Sequence, residues 1–124
     1  MEIPDNLLYT NDHEWIDIFD DIATIGITNY AQDQLGDIIF IEFPDNGAKY
    51  QRSDPIGTIE AVKTVADIYM PINGEILEVN LELESRPELI NKDPYEKGWI
   101  IKLCKISKDV SHLLPASEYN NLIQ

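Results

Sequence analysis

The ten residues Ile59-Glu60-Ala61-Val62-Lys63-Thr64-Val65-Ala66-Asp67-Ile68 form a near-palindrome. Val62 mirrors Val65, Ala61 mirrors Ala66, Glu60 mirrors Asp67 and Ile59 mirrors Ile68 about the Lys63-Thr64 bond. Folded there, the chain becomes an antiparallel hairpin with the mirrored residues directly opposed. The β-branched pairs suit a pleated surface. The Glu60/Asp67 pair does not, because like charges directly opposite each other destabilise a strand pair. A lysine between the two carboxylates offsets that repulsion. Lys-Thr is also not the Asn-Gly or Asp-Gly that a two-residue primed turn favours. The tip is therefore expected to be held by its surroundings, with its lysine serving another purpose than turning the chain. A lysine on a turn is ordinarily a solvated charge and nothing more, so the rest of the chain has to decide its role.

Short strand signals punctuated by turns run through most of the sequence. Leu7 to Thr10 predicts a first short strand, and His13–Phe19 with Ile22–Ile27 predicts a hairpin turning at Asp20-Asp21. Thr28 is a good helix N-cap, and Gly36 is placed to end a two-turn helix over 29–35 in the left-handed conformation. Its stripe of Tyr30, Ala31, Gln34 and Leu35 should lean inward. Asp37–Phe43 is nearly continuous in apolar residues, which predicts a central strand or one buried on both faces. Glu75–Asn80 is the next strand, and Leu81–Ile90 predicts a short helix broken by Pro87. Trp99–Ile106 predicts a long strand with Cys104 facing the core, and Ser117 predicts the cap of a last helix over 118–123. Many short strands and little helix point to a mainly β fold, a sandwich or flattened barrel.

Length and charge bound the rest. The 124 residues suit one domain spanning 1–124, able to bury a core without staples. No apolar run approaches a membrane span, and the N-terminus lacks the basic start and apolar core of a signal peptide. One cysteine excludes an internal disulfide or a cysteine-held metal and fits a reducing compartment. That suits the cytoplasm of a bacterium, or the mitochondrial matrix for a processed eukaryotic chain. The net charge of −14 argues against nucleic acid and anionic membranes as partners.

Signs of independent catalysis are missing. His13 and His112 lie far apart in sequence, with no His-x-x-x-His pair, nucleophile elbow or glycine-rich phosphate loop. No catalytic or metal-ligating residue is therefore assigned. What remains is a lysine at a hairpin tip. A primary amine on a flexible stem is the right chemistry for an amide link to a carboxylic-acid cofactor. A cofactor tethered in this way reaches high effective concentration at whatever site its carrier docks on.

At this point the sequence resembles a known family. Glu60-Ala61-Val62-Lys63-Thr64-Val65-Ala66-Asp67-Ile68-Tyr69-Met70-Pro71-Ile72-Asn73-Gly74-Glu75 is similar to the lipoylation segment of glycine cleavage system H proteins. His13-Glu14-Trp15, Ile25-Gly26-Ile27-Thr28-Asn29-Tyr30-Ala31-Gln32, Leu35-Gly36-Asp37, Asn91–Tyr95 with Gly98-Trp99, and Ser117-Glu118-Tyr119 fit the family in order and spacing. Each motif is weak alone, but together they are collinear over the whole chain. The resemblance implies a barrel-sandwich hybrid with short helices, one of them C-terminal, and lipoate in amide linkage to Lys63. It implies recognition by the lipoyl-attaching enzyme through Glu60 and Gly74, three residues before and eleven after the lysine. It also implies docking of the loaded arm beside Glu14 and Asp67, where carboxylates suit a cationic amine. Ala61 and Ala66 replace serines common in the family, which leaves the acceptor lysine and flanking carboxylates in place.

The implied activity is that of a carrier. A pyridoxal-phosphate glycine decarboxylase loads an aminomethyl group onto one lipoyl sulfur. An aminomethyltransferase releases ammonia and passes the carbon to tetrahydrofolate, and dihydrolipoyl dehydrogenase reoxidises the dithiol. With several partners to serve in turn, a monomer is expected. The nearest alternative is an H-like relay that donates lipoyl or octanoyl groups to other enzymes. A biotinyl carrier usually sets methionines on both sides of its lysine, where this chain has Val62 and Thr64. An unmodified interaction module completes the set.

Overall fold

The computed structural model describes residues 2–124; Met1 lies outside the described residues. Nine strands fall into two antiparallel sheets. The larger sheet runs β1 (Leu8–Tyr9), β2 (Glu14–Phe19), β3 (Ile22–Ile27), β9 (Ile101–Cys104), β8 (Gly74–Val79), β5 (Lys49–Tyr50) in spatial order. The smaller runs β4 (Ile38–Glu42), β6 (Pro55–Ala61), β7 (Val65–Tyr69). Helix α1 (Asn29–Leu35) joins one sheet to the other. Single turns α2 (Glu82–Ser85) and α3 (Leu89–Lys92) follow β8, and α4 (Ala116–Leu122) ends the chain. This is the mainly β barrel-sandwich hybrid expected. Among the described residues no helix is long and apolar enough to cross a membrane.

The core lies between the sheets. Ile16, Ile25, Ile76, Ile101 and Leu103 of the larger sheet meet Ile38, Ile41, Ile59 and Ile68 of the smaller, all buried. Period-two alternation drives these faces inward, since one side of each strand is apolar. A second, mostly aromatic cluster packs Tyr9, Trp15 and Tyr119 under α4. The Tyr9 and Tyr119 rings stack with centroids 4.7 Å apart. Trp15 lies across Gly26, its cross-strand partner, and its Nε1–H donates to the Pro94 carbonyl at 2.9 Å.

Several expectations change. The hairpin register is not the palindromic one. Ile59 opposes Ala66, Glu60 opposes Val65 and Thr58 opposes Asp67, and the Ala61 N–H closes the turn on the Thr64 carbonyl at 2.8 Å. The tip is therefore Val62-Lys63, and Glu60 and Asp67 are not directly opposed. Shifting a partner strand by two residues leaves every side chain on the same face. The apolar pattern thus cannot choose between the two registers, and the observed one avoids a face-to-face carboxylate pair.

The apolar run 37–43 forms an edge strand, not a central one. A register shift between Ile38 and Phe40 leaves Ile39 and Phe40 about half exposed. In β9, Ile101 and Leu103 point inward, so Cys104 falls on the opposite face and is only part-buried. The predicted long strand over 99–106 is the four residues of β9, and Lys105 adopts a φ of 51° directly after it. The last helix starts at Ala116 behind Pro115, and no side-chain hydrogen bond caps it, so Ser117 is not its cap. Gly36 has φ 79° and ψ −154°, a region essentially reserved for glycine, rather than the left-handed helical one. Thr28 does cap α1, its hydroxyl accepting from the Ala31 N–H at 3.2 Å.

The Trp15–Gly26 contact yields a direct test. A Cβ at Gly26 would lie 2.5 Å from Trp15 Nε1. Gly26→Ala should therefore lower unfolding free energy by about 1–3 kcal/mol in urea titration and shift Trp15 fluorescence. An unchanged midpoint would show that the indole can move aside freely.

Candidate functional site

Lys63 sits at the apex of the β6–β7 hairpin, exposed, on a turn fixed from two sides. One tie is the closing Ala61–Thr64 hydrogen bond; the other runs from the Val62 N–H to the Asp37 carbonyl at 3.0 Å. The tip is thus docked on the segment just after α1. Gly36 lies beside the Lys63 stem, and its φ of 79°, not crowding, is what favours glycine there: a Cβ would meet Lys63 Cε at an ordinary contact distance of 3.4 Å. The salt bridges among the described residues, Arg86–Glu82 and Lys105–Glu75, do not involve Lys63.

Beside the hairpin opens a cleft of about 280 Å³. Its apolar floor is Ile27, Ala31, Leu35, Ile59 and Ala66. The predicted stripe of α1 lines this cleft, with Ala31 and Leu35 partly buried against the main core, and the helix has no fully buried residue. Asp12, Glu14 and Asp67 give the cleft its acid groups, and His13, Tyr30 and Gln34 complete it.

Glu14 is the most unusual of these groups. It begins β2 and is only 2 % exposed. Its Oε2 accepts the Tyr69 N–H of β7 at 2.9 Å, and its Oε1 accepts the Thr10 hydroxyl at 3.2 Å. Strand β7 pairs only with β6, so Tyr69 would otherwise leave a backbone donor unpaired at the sheet edge. No cation offsets the burial of the carboxyl among the described residues. Burial pushes it up to about 8; Asp12 adds to the rise, and the Tyr69 N–H and Thr10 hydroxyl oppose it. Near neutral pH the group is largely the uncharged acid. A cation brought beside it would favour the carboxylate.

His13 reaches the same cleft from a backbone φ of 66°. Its Nδ1 lies 3.0 Å from the Tyr119 hydroxyl, which lies 2.7 Å from the Thr28 hydroxyl that caps α1. The chain His13–Tyr119–Thr28 thereby ties the C-terminal helix to the cleft wall. Burial lowers the His13 pKa, against the pull of Asp12.

The sequence-predicted residues do not all converge. Glu14 and Asp67 line the one cleft, although they are far apart in the chain. Glu60 is exposed on the outer face of the hairpin, two residues from the tip turn. Gly74 begins β8 in the other sheet, in the strand and not in the turn. Its small size has a structural reason, because a Cβ would stand 3.2 Å from the Cys104 carbonyl and from Ile106 Cγ2. Sequence reasoning missed His13, Asp12 and Tyr30 as cleft residues. The helix stripe that holds Tyr30 was visible, but what it faced was not. No cluster of metal-ligating side chains occurs among the described residues.

A fixed hairpin that offers one unpaired lysine beside an apolar, acid-tipped cleft defines a carrier domain of the barrel-sandwich hybrid class. The comparisons with known proteins narrow that class. Residues 7–124 match the family model "Glycine cleavage H-protein", and the chain belongs to this family. It is 47% identical over 124 residues to a glycine cleavage system H protein of Bacteroides fragilis, covering 99% of this chain and 98% of that protein. It is 50% identical over 120 residues to one of Listeria welshimeri, covering 96% of each. A crystal structure of a glycine cleavage system H protein from Mycobacterium marinum superposes with a TM-score of 0.88 at 37% identity, covering 96% of this chain and 97% of that one.

The state of Glu14 predicts a pH dependence. A carboxyl whose pKa is higher folded than unfolded stabilises fully below its unfolded value of 4.5, and that contribution is lost as pH rises through about 8. Between pH 5 and 8 the wild type should lose on the order of 1–3 kcal/mol more stability than Glu14→Gln, read by urea unfolding. Parallel pH profiles for the two proteins would refute a buried neutral acid.

Proposed function

We propose that Lys63 carries a lipoyl group in amide linkage, and that the chain serves the glycine cleavage system as its aminomethyl carrier without being a catalyst itself. The observation that carries this reading is the placement of Lys63: exposed, free of salt bridges and held on a docked turn. The neighbouring cleft fits the group. Its apolar floor suits a saturated acyl chain, and its acidic end suits a cationic load. A bound lipoyl group supplies a strained disulfide, one sulfur of which accepts the aminomethyl carbon while the other leaves as thiolate.

The chain's own residues then have three tasks. Gly36, in a backbone conformation that favours glycine, ends α1 beside the Lys63 stem. Ile27, Leu35 and Ile59 exclude water from the arm. Glu14 and Asp67 receive the amine; Glu14 gives up its proton as the cation arrives, so the charge is matched only when a load is present. Glu60 and Gly74 serve recognition by the lipoyl-attaching enzyme. The other partners are the pyridoxal-phosphate glycine decarboxylase, the aminomethyltransferase and dihydrolipoyl dehydrogenase, each of which a monomeric acidic carrier must leave quickly.

Intact mass of the protein from its native host should exceed the sequence mass by one lipoyl group, and Lys63→Ala should abolish the increment. A native protein at the bare sequence mass would sink the proposal. The lipoylated protein should support glycine-dependent CO2 exchange by the decarboxylase; a lipoylated protein that fails to do so would point to a relay of lipoyl groups instead. Glu60→Ala should slow lipoylation with no loss of folding, because Glu60 is exposed and makes no side-chain hydrogen bond within the chain. An unchanged rate would remove Glu60 from recognition.

A further inference from the structure

The outer face of the small sheet is exposed and mixes large apolar side chains with carboxylates. Nine large hydrophobic residues are exposed among the described residues, and four of them, Ile39, Phe40, Val62 and Val65, belong to this sheet and its tip. Their exposures run from 50% to 73%. Phe40, Glu60 and Val65 stand in one register row across the three strands, and Glu42, Thr58 and Asp67 form the next row. The first row is apolar around one carboxylate and the second brings two more. Lys63 is the only basic residue on the three strands and their tip. The irregularity in β4 between Ile38 and Phe40 is what turns both Ile39 and Phe40 outward. β4 is also a sheet edge, and along it an open depression of about 680 Å³ runs from Phe40 to Asn46. Exposed apolar residues gathered in one place mark a contact surface more often than scattered ones do.

We propose that this face is the docking surface for the enzyme that acylates Lys63, and that the matching surface of that enzyme sets apolar side chains beside basic ones. This rests on the reading of Lys63 as an acylated residue. Reach favours this occupant over the enzymes that act later. An unmodified lysine extends only on the order of 6 Å from its Cα. An active site that closes on Nζ must therefore touch the tip and its flanking strands. Enzymes that act on the loaded arm meet its far end and need not touch this sheet. Charge decides the polar part of the match: three carboxylates on two adjacent rows, on a chain of net charge −14, favour lysines and arginines opposite.

The test is steady-state acylation of the full-length unmodified chain by the purified lipoate-attaching enzyme of its host, with lipoate and ATP. Phe40→Lys and Val65→Lys should each raise KM about tenfold and leave kcat within about twofold, because they remove an apolar contact and set a cation against a basic surface. Leu81→Lys, equally exposed but off this sheet, should leave both constants unchanged. Raising NaCl from about 0.05 to 0.5 M should raise the wild-type KM several-fold. Cooperative urea unfolding confirms that each variant is folded. Unchanged KM in folded Phe40 and Val65 variants would overturn the docking surface while leaving Lys63 acylation intact. So would a fall in kcat alone, since that would mark a misplaced lysine and not a lost contact. A wild type that the enzyme never acylates would overturn the reading of Lys63 itself and the docking surface with it.

Discussion

The hydrogen bond from the Tyr69 N–H to the Glu14 carboxyl connects the two sheets at the point where the site forms. β7 is a free edge, and an unpaired backbone donor at a buried edge costs on the order of 1–3 kcal/mol. A carboxyl from the start of β2 satisfies it. That one contact fixes the spacing between the hairpin and the larger sheet, and so the width of the cleft. It also forces an acidic group into a site with no cation, where burial holds it largely protonated. Structural need and chemical readiness come from the same side chain, because a desolvated acid gives up its proton most readily when a positive charge arrives beside it.

A second set of contacts holds the opposite wall. Tyr119 of α4 stacks on Tyr9, meets His13 Nδ1 and lies within hydrogen-bonding distance of the Thr28 hydroxyl. Thr28 caps the helix whose half-buried stripe faces the cleft. The C-terminal helix therefore positions α1 without touching the cleft floor. α1 in turn ends at Gly36, against which the Lys63 stem rests. The tip hairpin, the helix and the first turn of β2 thus form a continuous frame around one lysine.

Much of this frame was legible in the sequence. Thr28 caps α1 as capping chemistry predicts, Gly36 ends it although not in the left-handed helical conformation, and Pro87 separates α2 from α3. The hairpin predicted from His13–Phe19 and Ile22–Ile27 is the β2–β3 pair. Two of the expectations that failed concern which residues of a strand point inward. A continuous apolar run such as 37–43 does not state how many neighbours its strand has, and the β4 bulge changed which of its residues point inward. Cys104 looked like a core residue by type, but the inward positions of β9 were taken by Ile101 and Leu103.

The sequence by itself determined the family, the mainly β class and the lysine offered at a hairpin apex. These depend on residue identity and on local periods of two or 3.6. Only the tertiary structure decided the register of the hairpin, the edge position of β4 and the burial of Glu14. A period-two pattern looks the same after a slip of two residues, so the palindrome suggested a symmetric turn that the fold does not use. The environment of Glu14 is set by Thr10 and Tyr69, the latter fifty-five positions away, and no local pattern carries that information.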